Sequence, residues 1–315
     1  MSVIRRHPLT WFVVLAYAIT WAFQLVAIAL AQGVAMTLSN EANYLSILDL
    51  LTGRLRGAGA LALVLSMLGA GPLIASLLVT AALYGRAGLR DLWQRCTRWR
   101  VGGWWYLVVL LLPLLLSAAS LALGLLSTSG QIGWAPMVPL LHAVPFVIYL
   151  IIFTGIAEEP GWRGFALPWL QRTHSAYRAS WILGIIWGLW HLPFTIYSNR
   201  GLDSVTFVIT LIISILLLTI GIVGWTIVLT WIYNSTHSVL LIILLHGWSN
   251  AVQSYLVLSS DNMIAKTVYG VLPWGLAIIL LRIHGRENLA RQPRHRAPDP
   301  GTAFALAPTN SNVRI

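Results

Sequence analysis

Apolar stretches of about twenty residues recur along nearly the whole chain, separated by short polar or basic connections. A run of that length crosses a hydrocarbon core of roughly 30 Å as a helix, the element that satisfies its own backbone hydrogen bonds in lipid. The pattern predicts eight spans, near Thr10–Leu30, Ala60–Leu83, Trp104–Leu126, Val138–Leu170, Ser180–Tyr197, Ser204–Tyr233, His237–Leu258 and Lys266–Ile283. The fourth and sixth are longer than a simple crossing. No connection is long enough for a soluble domain and no internal repeat stands out, so residues 1–284 read as one helical transmembrane domain. Beyond His284 the chain turns rich in Arg, Pro and Ala, and residues 285–315 are expected to form a disordered basic tail.

Composition agrees with this all-α polytopic reading. The 315 residues are 58% hydrophobic and 9% charged, against roughly 25% charged in an ordinary soluble domain. The distribution of basic residues sets the orientation. With the N-terminus in the cytosol, Arg5, Arg6, Arg86, Arg90, Arg95, Arg98, Arg100, Arg163, Arg172, Arg178 and the six arginines from Arg282 onward lie inside. Arg54, Arg56, Arg200 and Lys266 lie outside, so the division is sixteen against four and both termini are predicted to be cytosolic. The net charge of +11 therefore reads as topology plus attraction to anionic lipid of the cell membrane, with no nucleic-acid partner. Ala29-Leu30-Ala31 imitates a signal-peptide cleavage site, but the apolar run before it is long for such a peptide, and an anchor is expected. Cys96 is the single cysteine, which excludes an internal disulfide and a cysteine metal cluster.

Ionisable residues at membrane depth are costly to bury and mark pathways or reactive sites. Of the nine acids only Glu158 and Glu159 are adjacent, directly after the apolar run Phe146–Ala157. On a helix Glu159 and Arg163 share a face four residues apart, while Glu158 lies about 100° round from Glu159. One carboxylate can then be held by the arginine and the other left for chemistry. A pair at a membrane exit is the plainer alternative, supported by Pro160 and Gly161, which weaken a helix interior. His191 lies mid-span, on the stripe of Gly184 and Gly188 that admits a close neighbouring helix. His246 lies mid-span with Asn250 on the same face. If the fourth helix runs to Leu170, then Glu158, His191 and His246 all sit roughly 13–18 Å from the cytosolic surface at 1.5 Å per residue. A carboxylate, two imidazoles and a carboxamide at one level suit two tasks: holding a divalent ion, with zinc favoured, or activating water for hydrolysis. An HExxH pair, a GxSxG elbow and a Gly-rich phosphate loop are all missing from the sequence.

These residues, in this order, resemble the CAAX-processing and bacteriocin-processing (CPBP, Abi) family of intramembrane endopeptidases. Glu158, Glu159 and Arg163 match its Glu-Glu-x-x-x-Arg motif. Trp187 and His191 match an aromatic residue separated by three positions from a histidine, although phenylalanine is commoner there. His246 and Asn250 match His-x-x-x-Asn, and the likeness covers roughly Val138–Leu258. The resemblance implies a conical cavity open to the cytosol, with Glu158 and His191 activating water. It implies His246 and Asn250 as oxyanion donors and Glu159 with Arg163 as supports. It also implies one divalent metal, zinc favoured, on Glu158, His191 and His246, and a protein or peptide substrate cut near the cytosolic face. An ion- or proton-coupled transporter and a non-catalytic immunity or scaffold protein are the alternatives, and fold alone does not carry the substrate.

Overall fold

The computed structural model describes residues 3–127 and 131–299, and among them every regular element is helical and no strand forms. In chain order the elements are α1 (Pro8–Gly33), α2 (Asn40–Leu51), α3 (Gly57–Leu68), α4 (Gly71–Cys96), α5 (Gly103–Ser127), α6 (Leu140–Leu170), α7 (Ala176–Trp190), α8 (Leu192–Ser198), α9 (Ser204–Thr236), α10 (Val239–Leu258) and α11 (Met263–Asn288). Among the described residues seven of these are long and apolar enough to cross a bilayer, and α7 with α8, bent by 46° at His191, makes up to eight when the pair is counted as one span. The chain is an all-α, multi-pass membrane protein. Helix starts carry the expected side-chain acceptors: Ser39, Ser175, Asp203, Ser238 and Asn262 each cap a following backbone N–H.

The second predicted span, Ala60–Leu83, is broken in two. The chain leaves α3 at Gly69 and restarts at Gly71 and Pro72, a sequence that cannot sustain an uninterrupted ladder. Thr20 on α1 repairs the gap: its hydroxyl donates to the Gly69 carbonyl at 2.8 Å and accepts from the Gly71 N–H at 3.1 Å. Gly71 is required there, because a Cβ would lie 2.2 Å from the Ala16 carbonyl oxygen. Helix α2 on the same side was not predicted, being short and only mildly apolar.

The fifth span also breaks, at His191. Pro193 opens α8 and has no N–H to continue the ladder of α7. His191 takes φ −77°, ψ 0°, the sparsely populated bridge region where active-site residues recur. Gly184 and Gly188 bring α7 against α9, with Val223 and Thr219 filling the space where side chains would be. Helix α6 stays helical through the acidic pair, but two π-helical stretches, Ile151–Ile156 and Trp162–Ala166, flank the α-turn Ala157–Gly161. Such widened turns accommodate the missing N–H of Pro160 and recur at functional sites.

Residues 289–299 depart from the expected disorder; 300–315 lie outside the described residues. The segment straps across the end of the bundle where the termini meet. Gln171 donates to the His295 carbonyl at 2.9 Å, Ala297 N–H to the Pro168 carbonyl at 3.0 Å, and Tyr84 to the Pro298 carbonyl at 2.7 Å. Gln292 donates to the Asn234 carbonyl at 2.7 Å, and Arg172 pairs with Asp299. Composition forbids a helix here, but an extended chain still offers backbone partners to the buried Gln171 and Asn234 at the helix ends. His295 faces His237, with Tyr233 at 2.9 Å from its Nδ1. Burial, then Arg98 and Arg95, pushes His237 down to about 4. Burial, then Arg95 and His237, holds His295 well below its ordinary value.

Candidate functional site

A cavity of about 570 Å³ opens among α1, α6, α7, α9, α10 and α11 and is lined by Glu158, His191, His246 and Asn250 together. The three sequence motifs thus converge on one space. Glu158 reaches its wall from the α-turn between the two π stretches of α6 and is 8% exposed. Both of its recorded hydrogen bonds fall on one oxygen: Trp187 Nε1–H donates to Oε2 at 2.8 Å and Trp162 Nε1–H at 3.2 Å. Oε1 accepts from no described group, so the carboxylate is oriented by the indoles and keeps one oxygen for the cavity.

Glu159, one residue on, points away into the packing and is fully buried with Arg163. The guanidinium donates to both carboxylate oxygens at 3.0 Å, lies 4.4 Å over the Trp187 ring and touches Thr226 at 3.3 Å. Glu159 Oε1 also lies 2.8 Å from His246 Nδ1. Because a carboxylate bound to Arg163 only accepts, Nδ1 carries the proton and Nε2 is the ring nitrogen left for the cavity. The buried acid therefore ties α6 to α10 and fixes the His246 ring.

His191 stands at the α7–α8 break, with Nδ1 2.8 Å from the Trp187 carbonyl. A carbonyl only accepts, so Nδ1 is the donor, and in the neutral ring Nε2 is the acceptor. The Trp190 ring packs edge-on against the imidazole with centroids 4.9 Å apart. Asn250 donates through Nδ2 to Thr154 Oγ1 at 3.2 Å, and that hydroxyl donates onward to the Leu150 carbonyl at 2.6 Å. An amide nitrogen has two protons, which leaves one N–H for a ligand.

Glu158, His191 and His246 are the residues expected to hold one divalent metal, and Glu158 Oε1, His191 Nε2 and His246 Nε2 are the atoms that would do so. Among the described residues no three His, Cys, Asp or Glu side chains are grouped to hold a metal ion. Two indole donors hold Glu158, and the arginine-bound Glu159 holds His246.

The expectation of a cytosol-open cavity conflicts with the other expectation, that both termini are cytosolic. The lining runs from the level of Glu158 toward Ser39, Asn40 and Glu41 after α1 and toward Leu258 at the end of α10. That is the end of the bundle opposite the termini.

Two donors to Glu158 were not assigned from sequence. Trp162 lies four residues past Glu158 and Trp187 four before His191, spacings that put the first indole on the helix face of Glu158 and the second on that of His191. Trp190 lines the cavity, whereas Trp248 donates to the Leu110 carbonyl at 2.9 Å and does not.

Residues 139–252, which carry all three motifs, match the family model described as Type II CAAX prenyl endopeptidase Rce1-like. Among curated proteins, a CAAX prenyl protease 2 of Methanococcus maripaludis is 32% identical over 141 residues. That alignment covers 43% of this chain and 49% of the relative, so the chain spans about half the length of the curated relative it matches.

Proposed function

We propose, on the premise that residues 139–252 belong to the CAAX endopeptidase (CPBP) family, that this protein is a membrane-embedded endopeptidase. The observation that carries this reading is the Glu158 carboxylate, held through one oxygen by two indoles, with His191, His246 and Asn250 lining the same cavity. A carboxylate with a free oxygen and an imidazole with a free Nε2 are what a hydrolytic water needs.

In the proposed reaction Glu158 Oε1 and His191 Nε2 position a water. Glu158 takes its proton as the water oxygen attacks the scissile carbonyl carbon. The developing oxyanion accepts hydrogen bonds from the second Asn250 amide proton and from His246 Nε2 when that ring is protonated, with Glu159 as its counter-charge. The proton then passes to the departing amine as the C–N bond breaks. Glu159 and Arg163 do not touch substrate; they position His246 and Trp187.

Cleavage of a fluorogenic peptide library by purified, detergent-solubilised protein tests this. Glu158→Gln keeps an acceptor for both indoles and is expected to lose at least about 10²-fold in rate, the usual scale for a general base. His191→Ala and His246→Ala are expected to be comparably impaired while remaining folded. Cleavage retained in Glu158→Gln would overturn the assignment. Wild-type cleavage is expected to survive chelator, and its loss would restore the metal expectation.

A further inference from the structure

The two side chains assigned to the oxyanion both stand on α10, and each is met by a residue of α6. Glu159 Oε1 lies 2.8 Å from His246 Nδ1, and Asn250 donates through Nδ2 to Thr154 Oγ1 at 3.2 Å. Numbers that rise on α6 fall on α10, so the helices run antiparallel here and the two contacts are successive rungs. The crossing between the rungs is tight. A Cβ on Gly155 would lie 2.5 Å from the Ile243 carbonyl oxygen, and one on Gly247 would lie 2.6 Å from Ile151 Cα, so small residues on both helices let the backbones approach. The rungs are five residues apart on α6 and four apart on α10. The π-helical stretch Ile151–Ile156 accounts for the difference, because a turn closed by i→i+5 bonds takes in one residue more than an α-turn.

Thr154 belongs to none of the three sequence motifs. Its hydroxyl has one proton, and that proton goes to the Leu150 carbonyl at 2.6 Å. Toward α10 the oxygen therefore offers only lone pairs. Of the two ends of the Asn250 amide only the nitrogen can meet a lone pair, so Thr154 decides which way the amide faces. With Nδ2 fixed there, its second proton is left for the cavity that Thr154, Glu158 and Asn250 all line. Turned over, the amide would set Oδ1 against the Thr154 lone pairs, acceptor against acceptor. A valine matches threonine in shape but has no oxygen, and would leave neither orientation of the amide preferred from this side.

We infer that Thr154 is a positioning residue of the reaction: its hydroxyl holds the Asn250 amide so that an N–H, rather than the amide oxygen, meets the oxyanion. The inference rests on the endopeptidase reading and on the place given there to Asn250. Thr154 acts through Asn250 as Glu159 acts through His246. Helix α6 thus carries the base, Glu158, and also orients both donors that α10 supplies.

Full-length, detergent-solubilised protein is assayed on the fluorogenic peptide that wild type cuts fastest, with kcat and KM read separately. Removing an oxyanion donor outright costs about 10²–10³ in kcat. Thr154→Val leaves the donor present but unaligned, and is expected to lower kcat by about tenfold or more with KM within about twofold of wild type. Thr154→Ser keeps the hydroxyl and is expected to return kcat to within about threefold of wild type. In an Asn250→Ala background Thr154→Val is expected to slow cleavage no further, because the group it positions is gone. Wild-type kcat in Thr154→Val, a Thr154→Ser protein as slow as Thr154→Val, or the same loss repeated in the Asn250→Ala background would each overturn the inference and leave Glu158 as the base. An Asn250→Ala protein as fast as wild type overturns it as well. Where Thr154→Val has no folded thermal transition, Thr154→Ala takes its place in all three comparisons. If wild type cuts no peptide of the library, the endopeptidase reading falls and the inference with it; if wild type cuts and Thr154→Val cuts as fast, the inference alone falls.

Discussion

Glu159→Ala isolates what holds the site together. The carboxylate accepts two bonds from Arg163 at 3.0 Å and lies 2.8 Å from His246, and neither Glu159 nor Arg163 is exposed to solvent. Without it, Arg163 keeps one hydroxyl at 3.3 Å and the Trp187 face at 4.4 Å, both of which it already has. Stranding one member of a buried ion pair costs about 3–5 kcal/mol, and the orphaned His246 N–H adds about 1–3 kcal/mol. Replacing the arginine as well, in Glu159→Ala/Arg163→Met, removes the stranded charge and is expected to recover about 3 kcal/mol. Glu158→Gln, whose amide oxygen still accepts both indoles, is expected to lie within about 1 kcal/mol of wild type. Unfolding by SDS in mixed micelles, followed through the sixteen tryptophans, reads all four proteins. A double variant no more stable than Glu159→Ala would refute the stranded-charge argument. A Glu158→Gln protein as unstable as Glu159→Ala would refute the division between a supporting and a reacting glutamate.

Three further outcomes follow from the same geometry. Gly71→Ala places a methyl 2.2 Å from the Ala16 carbonyl oxygen and 2.3 Å from the Thr20 hydroxyl, so α1 and α4 must part; a loss of about 1–3 kcal/mol is expected, and an unchanged thermal midpoint would deny the tight crossing. Trp187→Phe deletes the 2.8 Å donor to Glu158, a bond to a charged group worth about 1.5–3 kcal/mol; cleavage is expected to slow by about tenfold or more, and a wild-type rate would show that Trp162 alone suffices. The strap is expected to loosen with acid. His237 is held down to about 4 and His295 well below its ordinary value, so the undocked segment binds more protons, and docking weakens as pH falls from about 6.5 toward 4 and is constant above. Hydrogen exchange over residues 289–299, corrected for intrinsic rates, reads this at pH 5 against pH 7.5, and equal protection would refute it.

The site was legible because its residues violate the composition around them. Two adjacent acids, two mid-span histidines and an asparagine in an almost uncharged bundle have few reasons to be there, and helix spacing already set Glu159 on Arg163's face and apart from Glu158. Pro193 and the Gly69–Pro72 stretch signalled the two broken spans, but a hydropathy window averages over a single missing N–H and reads through it. The end of the bundle toward which the cavity opens was not legible, since residues at mid-depth are equally far from both ends; the wall residues from Gln24 to Leu258 distinguish them. The strap escaped for a different reason. Arg- and Pro-rich composition reports the inability to make its own core, not the hydrogen bonds that Gln171, Asn234 and Tyr84 offer to its backbone and side chains.

That strap also sets an order of events. Its partners sit on α4, α6 and α9, and it follows α11 in the chain, so it cannot dock until every span that presents those partners has been inserted. Chains emerge from the ribosome N-terminus first, and the arginine-rich end is consequently sealed last. A partly inserted intermediate lacks the strap's bonds to Gln171 and Asn234, while the Glu159–Arg163 pair still lacks His246 from α10. Quality control that senses exposed polar groups at that face would therefore distinguish a finished molecule from an unfinished one without inspecting the cavity at all.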